Sequence, residues 1–191
     1  MIKIDKDYDA LLIVDLQNDF CPGGALAVPD GDQIVPIVNA IIPYFSKLYV
    51  SQDWHPRNHI SFRDQGGIWP PHCVADTKGA ELHPDLEAGK AIQIRKGTDP
   101  QSEAYSGFQG TNLVEMLHNA GVERLFICGL ATDYCVKATA LDALSAGFHV
   151  VVLVDAVRGV EVNPGDSQKA IDDMRQAGAE IVESGADINN A

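Results

Sequence analysis

The sequence predicts an α/β protein, a single-domain parallel β-sheet of about six strands flanked by helices on both faces. Three observations carry that expectation. Strand-like apolar runs alternate with segments of helical period along most of the chain. Several runs are continuously apolar, as strands covered on both faces are. The length, 191 residues, suits one domain with a full-sized core.

The elements follow in order. "ALLIVD" (10–15) is an apolar run ending in an acid. Ile34, Ile37, Val38, Ile41, Ile42 and Phe45 recur at helical spacing, so a helix is expected over 33–46, with Asp32 as N-cap and Pro43 ending or kinking it. "LYVSQD" (48–53) is a second strand, and "AIQIRK" (91–96) a third. Leu113, Met116, Leu117 and Ala120 mark a helix capped by Thr111 and closed by Gly121. "RLFICGL" (124–130) leads into a helix at about 133–146 closed by Gly147. "HVVVLVDA" (149–156) is the clearest strand, and a last helix carrying Ala170, Ile171 and Met174 ends at Gly178 before the edge strand "EIVE" (180–183). Residues 54–90 break this rhythm. They hold Gly66, Gly67, Pro70 and Pro71 without periodicity, and a connection so long inside a domain is functional or disordered. Trp54, Trp69 and several histidines argue against disorder.

Composition narrows the function. With 46% hydrophobic and 21% charged residues the chain reads as an ordinary globular protein. A formal charge of -13 argues against nucleic acid or an anionic membrane as partner. No apolar stretch reaches the length of a membrane span. Cys21, Cys73, Cys128 and Cys135 form no CxxC, and "MIKIDKDYDA" has no secretion-signal pattern, so reduced thiols in the cytoplasm are expected. A small-molecule ligand remains, and the chain is expected to be a monomer or a homo-oligomer.

In open parallel sheets ligands bind beyond the carboxyl ends of the strands. Asp15, Asp53, Lys96 and the "ATDYC" turn all lie at such ends, so they are expected to gather at one edge. "DWHPRNH" sets Asp53, His55 and His59 within seven residues, and His72 follows in "WPPHC". Asp53 and His55, two apart on an extended strand end, project to the same side. Imidazole with carboxylate suits zinc, iron or manganese. Scattered surface histidines are the bland alternative, and three histidines with an acid in one loop weigh against it. If Thr132 or Asp133 caps the helix, Cys135 falls in its first turn, where free N–H groups favour a thiolate and can hold an oxyanion. Asp15 is placed to take the thiol proton and return it to a leaving group, and Lys96 to balance both charges. Each alone has an ordinary structural reading; their convergence shifts the balance. Cys128, inside a strand, and Cys21, in the "FCPGG" turn, keep that ordinary reading.

"VDLQNDFCPGGALAV", "SQDWHP", "HCV", "RKG", "YSGF" and "GLATDYCV" together resemble the bacterial nicotinamidases of the isochorismatase-like hydrolase superfamily, in order, from about residue 10 to 183. The resemblance implies the isochorismatase-like fold over residues 1–191, with a metal-binding loop insertion at about 54–90. It implies hydrolysis of nicotinamide to nicotinate and ammonia in NAD salvage, with pyrazinamide as a surrogate substrate. Asp15, Lys96 and Cys135 would be the triad, with the amides of Ala131 and Cys135 as oxyanion hole beyond a cis Leu130–Ala131 peptide. Asp53, His55 and His72 would hold one divalent metal, zinc first and iron or manganese next, with His59 as a candidate fourth ligand. Phe20, Leu26, Trp69 and Tyr105 would line the substrate pocket. Two rival readings remain: a carbamoyl-amide hydrolase or isochorismatase of the same superfamily, against which the metal set and the cysteine count, and a non-catalytic pyridine sensor, which would gain nothing from an activated thiol.

Overall fold

The computed structural model describes residues 1–189. Six parallel strands form the central sheet: β2 (Asp9–Val14), β3 (Lys47–Asp53), β4 (Ile92–Lys96), β5 (Arg124–Leu130), β6 (His149–Arg158) and β7 (Glu180–Val182), in the order β4-β3-β2-β5-β6-β7. Two short strands, β1 (Ile2–Lys3) and β8 (Ile188–Asn189), pair in parallel away from it. The helices are α1 (Val35–Ile41), α2 (Leu113–Asn119), α3 (Lys137–Ser145), α4 (Asp166–Ala177) and α5 (Ser184–Asp187). No described helix is long and apolar enough to cross a membrane.

Side-chain alternation builds a core on each face of the sheet. Leu11 and Ile13 of β2 pack with Val35, Val38 and Ile41 of α1. Ala10, Leu12 and Val14 pack on the other face with Leu113 and Leu117 of α2, Ala140 and Ala143 of α3, and Met174 of α4. All six residues of β2 are buried, which explains the unbroken apolar run Ala10–Val14 within it.

Several expectations need correcting. The stretch 33–46 is not one helix: a 3-10 turn at Gly31–Ile34, α1 and a second 3-10 turn at Ile42–Tyr44 follow each other, with Pro36 and Pro43 inside. Proline removes an N–H at both places, so the apolar face survives while the regular hydrogen-bond ladder does not. Asp32 therefore lies within the first turn and caps nothing. The helix expected from about 133 starts at Lys137, because Thr132–Val136 form a wide π-type turn. Neither Thr132 nor Asp133 caps it; Asp133 instead accepts the N–H groups of Val160 and Glu161 at 2.9 Å each.

Candidate active site and metal centre

The four strands β4, β3, β2 and β5 are consecutive neighbours in the sheet, so their carboxyl ends lie side by side. Lys96 ends β4, Asp53 ends β3, Asp15 follows β2, and the Thr132–Val136 turn follows β5. Asp15 adopts φ 45, a left-handed conformation unusual for a residue with a side chain, and so turns out of its strand.

Lys96, only 1% exposed, is the hub. Its ammonium lies 2.9 Å from Asp15 Oδ2, contacts Asp53 Oδ1, donates to the Ala104 carbonyl at 3.0 Å and stands 3.6 Å from Cys135 Sγ. Carboxylate oxygens of Asp15 and Asp53 and the Cys135 sulfur all lie within 4.8 Å of one another. The Ser51 hydroxyl donates to Asp15 Oδ1 at 2.7 Å.

Burial sets the proton affinities. It raises the Asp15 carboxyl above the usual carboxylate range, although Lys96 and Ser51 oppose it. It would raise Asp53 too, but Lys96 and the neighbouring histidines win and hold that group ionised. Burial alone would discharge Lys96; Asp15, Asp53 and Cys135 outweigh it and keep the ammonium charged. The Cys135 thiol is pushed well up by burial despite Lys96. The helix cap expected next to the cysteine is absent: Cys135 lies in the Thr132–Val136 turn, ahead of α3.

On the far side of Asp53 lie the imidazoles. Asp53 Oδ2 is 3.4 Å from His55 Nε2 and 3.8 Å from His72 Nε2. His55 Nδ1 donates to the Gly97 carbonyl at 2.9 Å and His72 Nδ1 to the Pro70 carbonyl at 2.8 Å. Those bonds fix each ring so that the Nε2 lone pair faces Asp53. Three potential ligand atoms, one each from Asp53, His55 and His72, thus lie within 4.8 Å of one another, a carboxylate-and-imidazole set that fits a divalent cation. The local backbone arranges this. His55 pairs with the segment around Val74, donating to the Cys73 carbonyl at 3.0 Å, and so draws His72 alongside. Gly97 must be glycine, since a Cβ there would lie 2.4 Å from the His55 ring. His59 is placed beside this trio, not within it: its ring stacks on His55 at 4.0 Å, and its nitrogens meet Ser61 Oγ at 2.7 Å and the Ser102 carbonyl at 3.1 Å.

A pocket of about 430 Å³, open mouth included, joins the two groups. Phe20, Leu26, Trp69 and Tyr105 line it, together with Ala131, Cys135, Asp53, His55 and His72. Trp69 Nε1 donates to the Tyr105 hydroxyl at 3.0 Å, locking two walls together. The Leu130–Ala131 peptide is cis. Sequence reasoning passed over Tyr134, whose ring meets Trp69 edge-on at 5.0 Å, and Glu103 and Val160, which also line the pocket. Tyr134 adjoins Cys135 inside a motif already singled out, and that adjacency was the available signal. Glu103 and Val160 gave none.

A family model described as the isochorismatase domain matches residues 9–186. The nicotinamidase of Escherichia coli strain K12 is 44% identical to this chain, over 90% of it and 93% of the relative. Among solved structures, pyrazinamidase of Pyrococcus horikoshii in complex with zinc superimposes with a TM-score of 0.87 at 52% identity, covering 92% of this chain and 98% of that one. PnC1 from L. infantum in complex with nicotinate gives a TM-score of 0.90 at 38% identity, covering 98% of each.

Proposed function

This chain belongs to the isochorismatase domain family, and on that premise we propose that it is a nicotinamidase, releasing ammonia from nicotinamide in NAD salvage and accepting pyrazinamide. The observation that carries this reading is one pocket lined by Phe20, Trp69, Tyr105 and Tyr134 onto which both a lysine-bridged cysteine and carboxylate and a two-histidine, one-carboxylate trio open. Nicotinamide matches that polarity, with an amide on one side of the ring and a basic nitrogen on the other.

In the proposed reaction Cys135 Sγ attacks the amide carbon while Asp15 takes the thiol proton. A buried thiol resists ionising on its own, so transfer to the adjacent carboxylate accompanies attack. Raised by burial, Asp15 is better matched to this exchange than an ordinary carboxylate. The backbone N–H groups of Ala131 and Cys135 hold the tetrahedral oxyanion. Asp15 then gives its proton to the departing nitrogen, the C–N bond breaks, ammonia leaves and an acyl-thioester remains. A water loses a proton to Asp15 and attacks the thioester, freeing nicotinate and restoring the thiol. Lys96 keeps Asp15 in place through both proton transfers. Phe20, Leu26, Trp69 and Tyr105 hold the ring and exclude bulk water. Asp53, His55 and His72 would hold one zinc ion, or iron or manganese, which when bound supplies an electrophilic seat for the pyridine nitrogen and so orients the ring. We assign residues 54–90 as the metal-bearing insertion of one hydrolase domain. Free, buried thiols support a cytoplasmic location.

The test is ammonia release from nicotinamide by the wild type, Cys135→Ala and a metal-stripped sample. Turnover lost in Cys135→Ala and in the stripped protein, and restored by added zinc, is the expected result. No release by the folded, zinc-loaded wild type rejects the substrate and redirects the assay to carbamoyl amides.

A further inference from the structure

We infer that Gln17 is a positioning residue, which aims the two oxygens of the Asp53 carboxylate in opposite directions by replacing a missing strand partner. The inference rests on the metal reading above and extends it to a side chain outside the trio.

Strand β2 pairs with β3 only as far as Ile13 and Val50. After the last contact, Asp15 N–H to the Ser51 carbonyl at 3.2 Å, the chain turns away through the left-handed Asp15. Asp53 would then present a buried N–H and carbonyl toward β2 with nothing opposite, a costly state in a dry interior. The Gln17 side chain fills that place. It is fully buried; its Oε1 accepts the Asp53 N–H at 2.8 Å and its Nε2 donates to the Asp53 carbonyl at 2.8 Å. Nε2 also donates to the Ala80 carbonyl at 2.9 Å, and Gln17 N–H bonds to the Asp15 carbonyl at 2.8 Å. Gln17 therefore ties Asp15, through its backbone N–H, to Asp53, through its side-chain amide. Asp53 tolerates little movement, because Oδ1 meets Lys96 while Oδ2 faces His55 and His72. A shift of its backbone disturbs the Lys96 contact and the two histidine contacts at once.

The neighbouring Gln52 is a built-in control. It too is buried and donates to the Ala80 carbonyl, at 3.1 Å, but its side chain does not bond to Asp53. The experiment compares Gln17→Met and Gln52→Met in the full chain, by zinc affinity from chelator competition and by kcat and KM for nicotinamide at saturating zinc. Gln17→Met is expected to bind zinc about 10–100-fold more weakly and to lose about tenfold in kcat, with Gln52→Met within about threefold of wild type in both. Zinc affinity retained within threefold in Gln17→Met overturns the inference. So does an equal loss in Gln52→Met, which would make the Ala80 contact the cause. If Gln17→Met does not fold, Gln17→Asn, too short to span both Asp53 atoms, is held to the same limits. A wild type that binds zinc but releases no ammonia rejects the nicotinamidase reading alone, and the zinc arm still decides Gln17. A wild type without zinc affinity overturns the inference.

Discussion

Lys96 carries its charge between Asp15 and Asp53 with almost no solvent, so the three groups stand or fall together. Replacing it by methionine keeps the volume but leaves two buried carboxylates facing each other. Lys96→Met is expected to abolish turnover and cost about 3–5 kcal/mol of stability, read by urea denaturation; a loss under about 1 kcal/mol would mean the carboxylates find other partners. Ser51 makes a finer test. Its hydroxyl bonds to the ionised Asp15 carboxylate and so lowers a pKa that burial raises. Ser51→Ala removes an interaction with the charged form, so Asp15 holds its proton to higher pH and becomes a base later. The acid limb of kcat/KM, measured at saturating zinc, is therefore expected to move to higher pH than in the wild type. A limb that stays still or moves down would show that Asp15 is not the base. Asp15, Asp53, Lys96, Cys135 and the histidines were all legible in the sequence, because charged and soft groups at strand ends have little structural reason to be there. Ser51 and Gln17 were not: a polar residue in or just beyond a buried strand leaves no pattern that separates a hydrogen-bond partner from an ordinary neighbour.

At the scale of elements, β5 leaves no room for a side chain against β2 at Gly129. It adopts φ 116, and a Cβ there would lie 2.1 Å from the Val14 carbonyl oxygen. That closeness lets β5 run against β2 up to the turn that carries Cys135. Gly129→Ala is expected to cost at least ~2 kcal/mol, which for a chain of this length lowers Tm by roughly 4–8 °C; an unchanged Tm in calorimetry would mean that the strands separate freely. Strand positions were readable to within a residue or two, since continuous apolar runs have one explanation in a sheet covered on both faces. Helix starts were not. Pro36 and Pro43 divide the first helix into three pieces without disturbing its apolar spacing, and the wide Thr132–Val136 turn has the same composition as a helix start. The two-residue strands β1 and β8 are too short to show any period.

For the whole molecule, the strand order decides what the site is, and order is not written in any one segment. The sequence placed four chemical groups at strand ends, but the arrangement β4-β3-β2-β5 makes those ends adjacent. The path of residues 54–90 was equally hidden, because it is held by isolated backbone pairs such as His55 with Val74 and Phe62 with Trp69. That weakness has a thermodynamic consequence. Apart from two 3-10 turns, at Arg63–Gln65 and Lys78–Ala80, this segment contains no helix or long strand, yet it brings His55 and His72 to Asp53 at the end of β3. A cation shared by those three residues ties the irregular segment to the rigid sheet, and an ion that binds only the folded chain stabilises it by mass action. At a hundredfold excess over its dissociation constant, zinc is expected to add about 2.7 kcal/mol, or roughly 5–11 °C in Tm. Hydrogen exchange on the stripped protein localises the effect: amides between about 54 and 74 are expected to exchange faster, while those of β2 and β5, buried on both faces, keep their protection. Uniform loss of protection would mean that the metal supports the entire fold. No change in either measurement would separate the three side chains from any metal, and with them the orientation of the pyridine ring.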